Sequence, residues 1–264
     1  MGFGTEKDVV FGGQSRPLRW DIYRPQAAPS DAPIVLVLHG GGWRAGDRAM
    51  MTDACLEYAR RGYIAIAPEY RLLGEANWPA PLDDVKLAVR SVREGKSGAS
   101  VSTSRIFLTG FSAGAHLALL AASSADCAVA AVAAFFPPAR ITSEMGPMLG
   151  LSGAETLAAV SPIQHASKLP PTIVFCGDAD NQTPPEMAID LYKAIRNAGG
   201  TADIRLFSNL IHEFVALPGM LHQTIGDAVR FFDRTVITKN SFDAASDRHR
   251  EWWASMMAAA GPRI

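Results

Sequence analysis

The chain has 264 residues, 48% hydrophobic and 19% charged, with 25 Lys+Arg against 26 Asp+Glu and a formal net charge of −1 at pH 7. This composition excludes a mainly disordered chain, and without a block of like charge nothing points to nucleic acid or an anionic membrane surface as partner. The apolar run Ala128 to Phe136 has nine residues, whereas a bilayer span needs ~20, so no membrane insertion is expected.

In chain order, a weak first strand is predicted at 8–11. Residues 18–23 (LRWDIY) alternate, as a half-exposed strand does. Residues 34–39 (IVLVLH), 63–67 (YIAIA), 105–110 (RIFLTG), 129–135 (VAAVAAF) and 172–176 (TIVFC) are near-continuous apolar runs. Such runs suit parallel strands covered by helices on both faces. Residues 203–207 (DIRLF) make a last, weaker strand. Helices are predicted at 48–61, 81–94, 113–124, 185–198 and 221–236. Two antiparallel-looking strands followed by alternating strand and helix describe an α/β chain with a doubly wound, mainly parallel sheet.

Residues 137–169 break this rhythm with PP, GP, SP and LPP and read as an irregular excursion above the sheet. Residues 24–33 (RPQAAPSDAP) and 94–104 (EGKSGASVSTS) read as short linkers. At ~150 residues per domain the length approaches two units, but single α/β domains reach it, and one domain over 1–264 is expected. In the tail, 239–264, residues 241–259 place Trp252, Trp253, Met256 and Met257 on one helix face. Packing on the body is expected, with a homodimer contact as the alternative. Cys55, Cys127 and Cys176 are odd in number and form no CxxC, which speaks for buried small hydrophobes in a reducing cytosol. The first residues, MGFGTEKDVV, lack a basic then apolar leader pattern, so a cytoplasmic location is expected.

Gly110-Phe111-Ser112-Ala113-Gly114 lies between an apolar strand and a helical run. A bare GxSxG arises by chance in about one chain of this size in ten. Its place between strand and helix makes it a nucleophile candidate, because the glycines permit a sharp turn that lifts Ser112 off the sheet. His39-Gly40-Gly41-Gly42-Trp43 ends another apolar strand. Backbone N–H groups of Gly41 and Gly42, with that of Ala113, are suited to hold an oxyanion.

A nucleophilic serine needs a base, and the base an orienting acid. Of six histidines, His212 follows the last strand in a short loop (SNLIHEF), at the end of the sheet where carboxyl-end loops meet. His116, four residues past Ser112 on the same helix, lies one turn below and reads as packing; His39 reads as orienting its own loop. Gly177-Asp178-Ala179-Asp180 supplies the acid, with Asp180 favoured over Asp178, the other being a turn-former. The order Ser112, Asp180, His212 is that of an α/β-hydrolase triad.

HGGGW (39–43), EYRL (69–72) with PAPLDD (79–84), GFSAGAHLA (110–118), GDAD followed by TP (177–184) and IHEFVALPG (211–219) together resemble the α/β-hydrolase superfamily. The similarity is to its hormone-sensitive-lipase-like and short bacterial acetyl-esterase-like carboxylesterases, and covers roughly residues 8–236. It implies an α/β-hydrolase fold with an eight-stranded sheet. It also implies Ser112 as nucleophile, Asp180 as acid, His212 as base and an oxyanion hole of Gly41, Gly42 and Ala113, with no metal or organic cofactor. The lipase-like members carry a long N-terminal cap; here only 38 residues precede the HGGG motif, so a short or minimal cap and a small-molecule ester with a short acyl chain are expected. SAGAHL also resembles arylformamidases, which makes N-formyl amides the alternative substrates. A catalytically inactive hydrolase-fold binding protein is the alternative of another class. Trp43, Phe111 and Phe214 are expected to line the substrate site, and Arg71, Asp83 and Asp84 to form structural ion pairs.

Overall fold

A strand sends successive side chains to opposite faces, so an unbroken apolar run needs cover on both. The computed structural model describes residues 2–13, 15–26, 28–29, 31–98 and 105–259. Among these residues the strands are β1 (Phe3–Gly12), β2 (Leu18–Pro25), β3 (Ile34–Leu38), β4 (Ile64–Pro68), β5 (Ile106–Phe111), β6 (Ala131–Phe135), β7 (Thr172–Gly177) and β8 (Ala202–Phe207). They form one sheet in the order β1-β2-β4-β3-β5-β6-β7-β8. β2 pairs antiparallel with both β1 and β4, and the remaining pairs are parallel.

The helices are α1 (Thr52–Ala59), α2 (Ala80–Arg93), α3 (Ala113–Ala122), α4 (Gly146–Leu149), α5 (Ala154–Ala159), α6 (Pro185–Asn197), α7 (Met220–Phe232) and α8 (Lys239–Ala259). Ile34, Leu36 and Leu38 of β3 enter a core shared with α2, α3 and α6, while Val35 and Val37 enter a second core under α1 and α7. Each such fully buried side chain contributes roughly 1.5–3 kcal/mol relative to exposure. The cysteines are free and buried in these cores, where burial pushes the Cys127 thiol up to about 11 and that of Cys176 to about 12.

Four elements differ from the sequence expectations. β1 runs from Phe3 rather than from residue 8. Most of its residues are exposed, so its ladder with β2, not an apolar pattern, holds it. The predicted helix 48–61 opens as a 3-10 turn, Arg48–Met51, capped by the Asp47 carboxylate accepting the Ala49 N–H at 2.7 Å. The excursion 137–169 contains α4, α5 and a 3-10 helix at Pro162–Lys168. Its Pro147 and Pro162 sit in first helical turns, where a missing N–H costs nothing. The tail forms α8, but Trp252, Trp253, Met256 and Met257 stay 56%, 51%, 39% and 51% exposed, so the expected packing on the body is not made. Residues 260–264 of the tail and 99–104 of the second linker lie outside the described residues, as do 27 and 30 of the first.

The reason for the tail's position is where α7 ends. Tyr63, just before β4, donates to Asp233, just after α7, at 3.2 Å. The tail is thus rooted at the amino ends of the strands, opposite the carboxyl-end loops. Among the described residues no helix is long and apolar enough to cross a membrane.

The topology creates one crevice of consequence. From β3 the chain crosses over α1 to β4, and from β5 over α3 to β6, on the other side. The loops after the adjacent strands β3 and β5 therefore diverge, which is the switch point where α/β sheets open a site. Arg71 forks onto Asp84 with two hydrogen bonds of 2.8 Å and pins the loop after β4 to α2. Asp83 joins no such bond among the described residues.

Candidate active site

Ser112 joins β5 directly to α3 with φ +50° and ψ −118°, a conformation costing on the order of 1–3 kcal/mol. The turn is possible because its flanks have no side chains. A Cβ on Gly110 would strike the Gly114 carbonyl, and one on Gly114 the carbonyls of Leu38 and His39. The Ser112 N–H donates to the Phe135 carbonyl at 2.9 Å, which fixes the elbow against β6.

The loop after β8 brings His212 to this serine. Its Nε2 lies 3.0 Å from Ser112 Oγ and its Nδ1 2.7 Å from Asp180 Oδ2. His212 is 6% and Asp180 4% exposed. A carboxylate can only accept, so Nδ1 carries the proton and Nε2 is left to accept the serine O–H. Phe136 sets the ring edge-on, with centroids 4.6 Å apart. Asp178 faces outward and accepts the Asn209 N–H at 2.6 Å, as a turn-former does.

Thr183 escaped the sequence reading. Its hydroxyl donates to Asp180 Oδ2 at 2.8 Å and lies 3.3 Å from His212 Nδ1. The N–H groups of Gln182 and Thr183 both donate to Asp180 Oδ1 at 2.9 Å. Burial alone pushes the Asp180 carboxyl up, but the bonds from His212 and Thr183 outweigh it and hold the group below the ordinary carboxylate range. The available signal was the spacing: an aspartate capping the N–H groups two and three residues on, just before a helix.

The loop after β3 passes through Gly41 at φ +111°, Gly42 at +58° and Trp43 at +62°. A Cβ on Gly41 would strike the Ala45 carbonyl. Among the described residues the N–H groups of Gly41, Gly42 and Ala113 donate to no protein acceptor. His39 stacks on Tyr70 with centroids 4.3 Å apart, and the Tyr70 hydroxyl donates to the His39 carbonyl at 2.9 Å. Its ring thus braces the loop from below, and burial holds its pKa under the usual histidine value.

Two cavities flank Ser112. One of about 370 Å³ runs past Gly42, Trp43 and Ala113 to Pro138, Met145 and Met148 of the excursion. The other, about 310 Å³, lies between Phe111, Phe136, Met50, Met51 and Leu221. Trp43 and Phe111 line one each. Phe214 lines neither, contrary to expectation. The 3-10 turn Phe214–Ala216 swings its ring into the second core against Phe136 and Phe207, and Phe136 holds the wall instead. A larger cleft of about 850 Å³, between Trp78, Leu120, Val129 and Leu169, includes none of Ser112, Asp180 or His212.

Comparison with known proteins agrees with this geometry. The BD-FAE family matches residues 20–195. The esterase LipQ of Mycobacterium tuberculosis is 29% identical over 256 residues, covering 85% of this chain, which spans 61% of LipQ. The kynurenine formamidase of Danio rerio is 28% identical over 120 residues, 46% of this chain and 39% of its own length. Est2, a thermophilic esterase of Thermogutta terrifontis, superposes with a TM-score of 0.75 at 26% identity over 85% of this chain and 90% of that one. Est2 is also known with propionate or butyrate bound and phosphonylated by sarin. The chain belongs to the BD-FAE family, within the α/β-hydrolase carboxylesterase superfamily.

Proposed function

We propose that the protein is a serine carboxylesterase for small, short-chain esters. The observation that carries this reading is the bridging position of His212, 3.0 Å from Ser112 Oγ and 2.7 Å from Asp180 Oδ2. His212 Nε2 takes the serine proton as Oγ bonds to the ester carbonyl carbon. The carbonyl oxygen becomes an oxyanion facing the N–H groups of Gly41, Gly42 and Ala113. As the C–O bond to the alcohol breaks, His212 returns the proton to the leaving oxygen. It then takes a proton from water, whose oxygen attacks the acyl-enzyme and frees the acid and Ser112. Asp180 stabilises the imidazolium in both halves. The two cavities flanking Ser112 separate the acyl from the alcohol portion.

The LipQ and Est2 relationships favour an ester over other acyl donors. A formamidase would use the same machinery, with an amine leaving and formate released, and the Danio rerio relative is the reason to test it. Turnover of p-nitrophenyl esters from acetyl to dodecanoyl, with N-formylkynurenine in the same panel, decides. Faster turnover of the formamide than of every ester overturns the esterase reading.

The peak in kcat/KM is expected between two and about six acyl carbons. Each buried CH₂ contributes about 0.8 kcal/mol, roughly fourfold. That gain stops where the wall stops, and the cavity that reaches Met145 and Met148 encloses only about 370 Å³. α8 is rooted at the other end of the sheet, so removing residues 239–264 should leave the optimum unmoved. A peak at ten carbons or more, measured below the critical micelle concentration, rejects this picture.

Charge selects as well. Glu144 lines one cavity and Asp53 and Glu213 the other, and neither wall includes Lys or Arg among the described residues. The p-nitrophenyl monoester of succinate should therefore be cleaved about tenfold less efficiently than the butyrate ester of equal length, as a carboxylate a few ångströms from like charge predicts. Equal kcat/KM for the two would show that these carboxylates do not face the substrate.

A further inference from the structure

The HGGGW loop has a strained end that its own sequence does not explain. Trp43 holds φ +62°, a left-handed conformation that a bulky residue keeps only when its surroundings enforce it. Two contacts enforce it. The Trp43 carbonyl accepts the Leu73 N–H at 2.9 Å. Its indole Nε1–H donates to Nδ1 of His116 at 3.2 Å, with the rings edge-on, centroids 5.2 Å apart at 82°.

His116 is fully buried on α3, one turn below Ser112. Its Nε2 lies 2.8 Å from the Val160 carbonyl, in the excursion. A carbonyl only accepts and an indole N–H only donates, so the two partners fix one tautomer: protonated Nε2, bare Nδ1. A second ring proton would point N–H at N–H. Burial agrees, pushing the pKa down to about 4 and keeping the ring neutral at working pH. Trp78 packs on the remaining face, with centroids 5.7 Å apart.

One ring therefore joins three parts: the elbow helix, the excursion and the loop carrying Gly41 and Gly42. We propose that His116 is a positioning residue for the reaction: by accepting the Trp43 indole N–H while bound to the Val160 carbonyl, it holds the Gly41–Trp43 loop with its amides aimed at the oxyanion. The proposal rests on the esterase reading. It concerns a group that touches no substrate and acts through Trp43.

The test uses active enzyme counted by titration with a fluorophosphonate. Ester turnover and labelling by wild type test the esterase reading first, independently of the His116 variants. In His116→Leu the ring's bulk is largely kept and the acceptor lost. We expect kcat for p-nitrophenyl butyrate to fall about 30- to 100-fold, somewhat less than the loss of a whole oxyanion donor, with KM within twofold. Affinity for a trifluoromethyl ketone, whose adduct carries the same oxyanion, should fall in step. His116→Asn, whose side-chain oxygen can reach the indole but not Val160, should recover most of kcat while remaining less stable. Trp43→Phe deletes the donor and leaves His116 in place, so it keeps the test alive if the leucine variant does not fold. It should lower kcat to a similar degree, and the double variant should add little. Folded Leu or Phe variants with kcat within threefold of wild type, or a loss confined to thermal stability, would overturn the assignment.

Discussion

Replacing Ser112 by alanine is expected to lower kcat by about 10⁵–10⁶ while leaving the fold in place. The size of the loss follows from how little else can attack the ester. Asp180 and His212 remain, but without Oγ the imidazole has only water to activate, and water is not held at the elbow by a covalent bond. The fold survives because Oγ bonds only to His212 among the described residues, while the elbow is held by the Ser112 N–H and its flanking glycines. Alanine shares the serine backbone, so the strain at φ +50° is unchanged. Thermal unfolding should match wild type, and a fluorophosphonate should label wild type and leave the variant unlabelled. Purified variant retaining a tenth of wild-type activity would remove Ser112 from the role of nucleophile.

The parts of this chain that were legible in sequence are those where local chemistry and topology ask for the same residues. The strand Ile34–Leu38 reads as apolar throughout because Ile34 and Val35 feed different cores. Ser112 is readable from the glycines on either side, which its turn requires, and Gly41 because a Cβ there would strike the Ala45 carbonyl. Phe214 departs from its expected place for a reason that sequence does not carry: His212, two residues before it, faces the crevice, but one 3-10 turn sends the ring the other way. Thr183 does not stand out in the sequence because its function depends on the fold of the Asp180 loop, although its hydroxyl and N–H both bond that carboxylate. His116 reads as packing, and it is buried. What the sequence hid was the partner, since Trp43 and Val160 lie 73 and 44 residues away. The apolar face of α8 was correct as periodicity and mistaken as packing, because periodicity shows that a face exists, not what it meets.

Asp180→Asn should lower kcat by about 10⁴, and Asp178→Asn should leave it nearly unchanged. The two residues are two apart in one loop, yet they bond different things. Asp180 Oδ2 accepts from His212 Nδ1 at 2.7 Å, while among the described residues Asp178 accepts only a backbone N–H of the next loop, Asn209, at 2.6 Å. An asparagine at 180 can turn its NH₂ toward the imidazole, which moves the ring proton to Nε2 and takes the base away from Ser112. It also withdraws the charge that stabilises the imidazolium. Stability carries an independent mark of the same bonds. The Asp180 carboxyl is held below its ordinary value in the folded chain, so folding favours the ionised form. That contribution is fully present above the unfolded pKa of about 3.9 and is lost as pH falls through the lower folded value. Wild type should therefore exceed Asp180→Asn in Tm at pH 7, and the gap should narrow below about pH 4. If Asp178→Asn costs more activity than Asp180→Asn, the acid has been assigned to the wrong carboxylate; if the Tm gap stays constant from pH 7 to pH 3, the hydrogen bonds around Asp180 do not bias its ionisation.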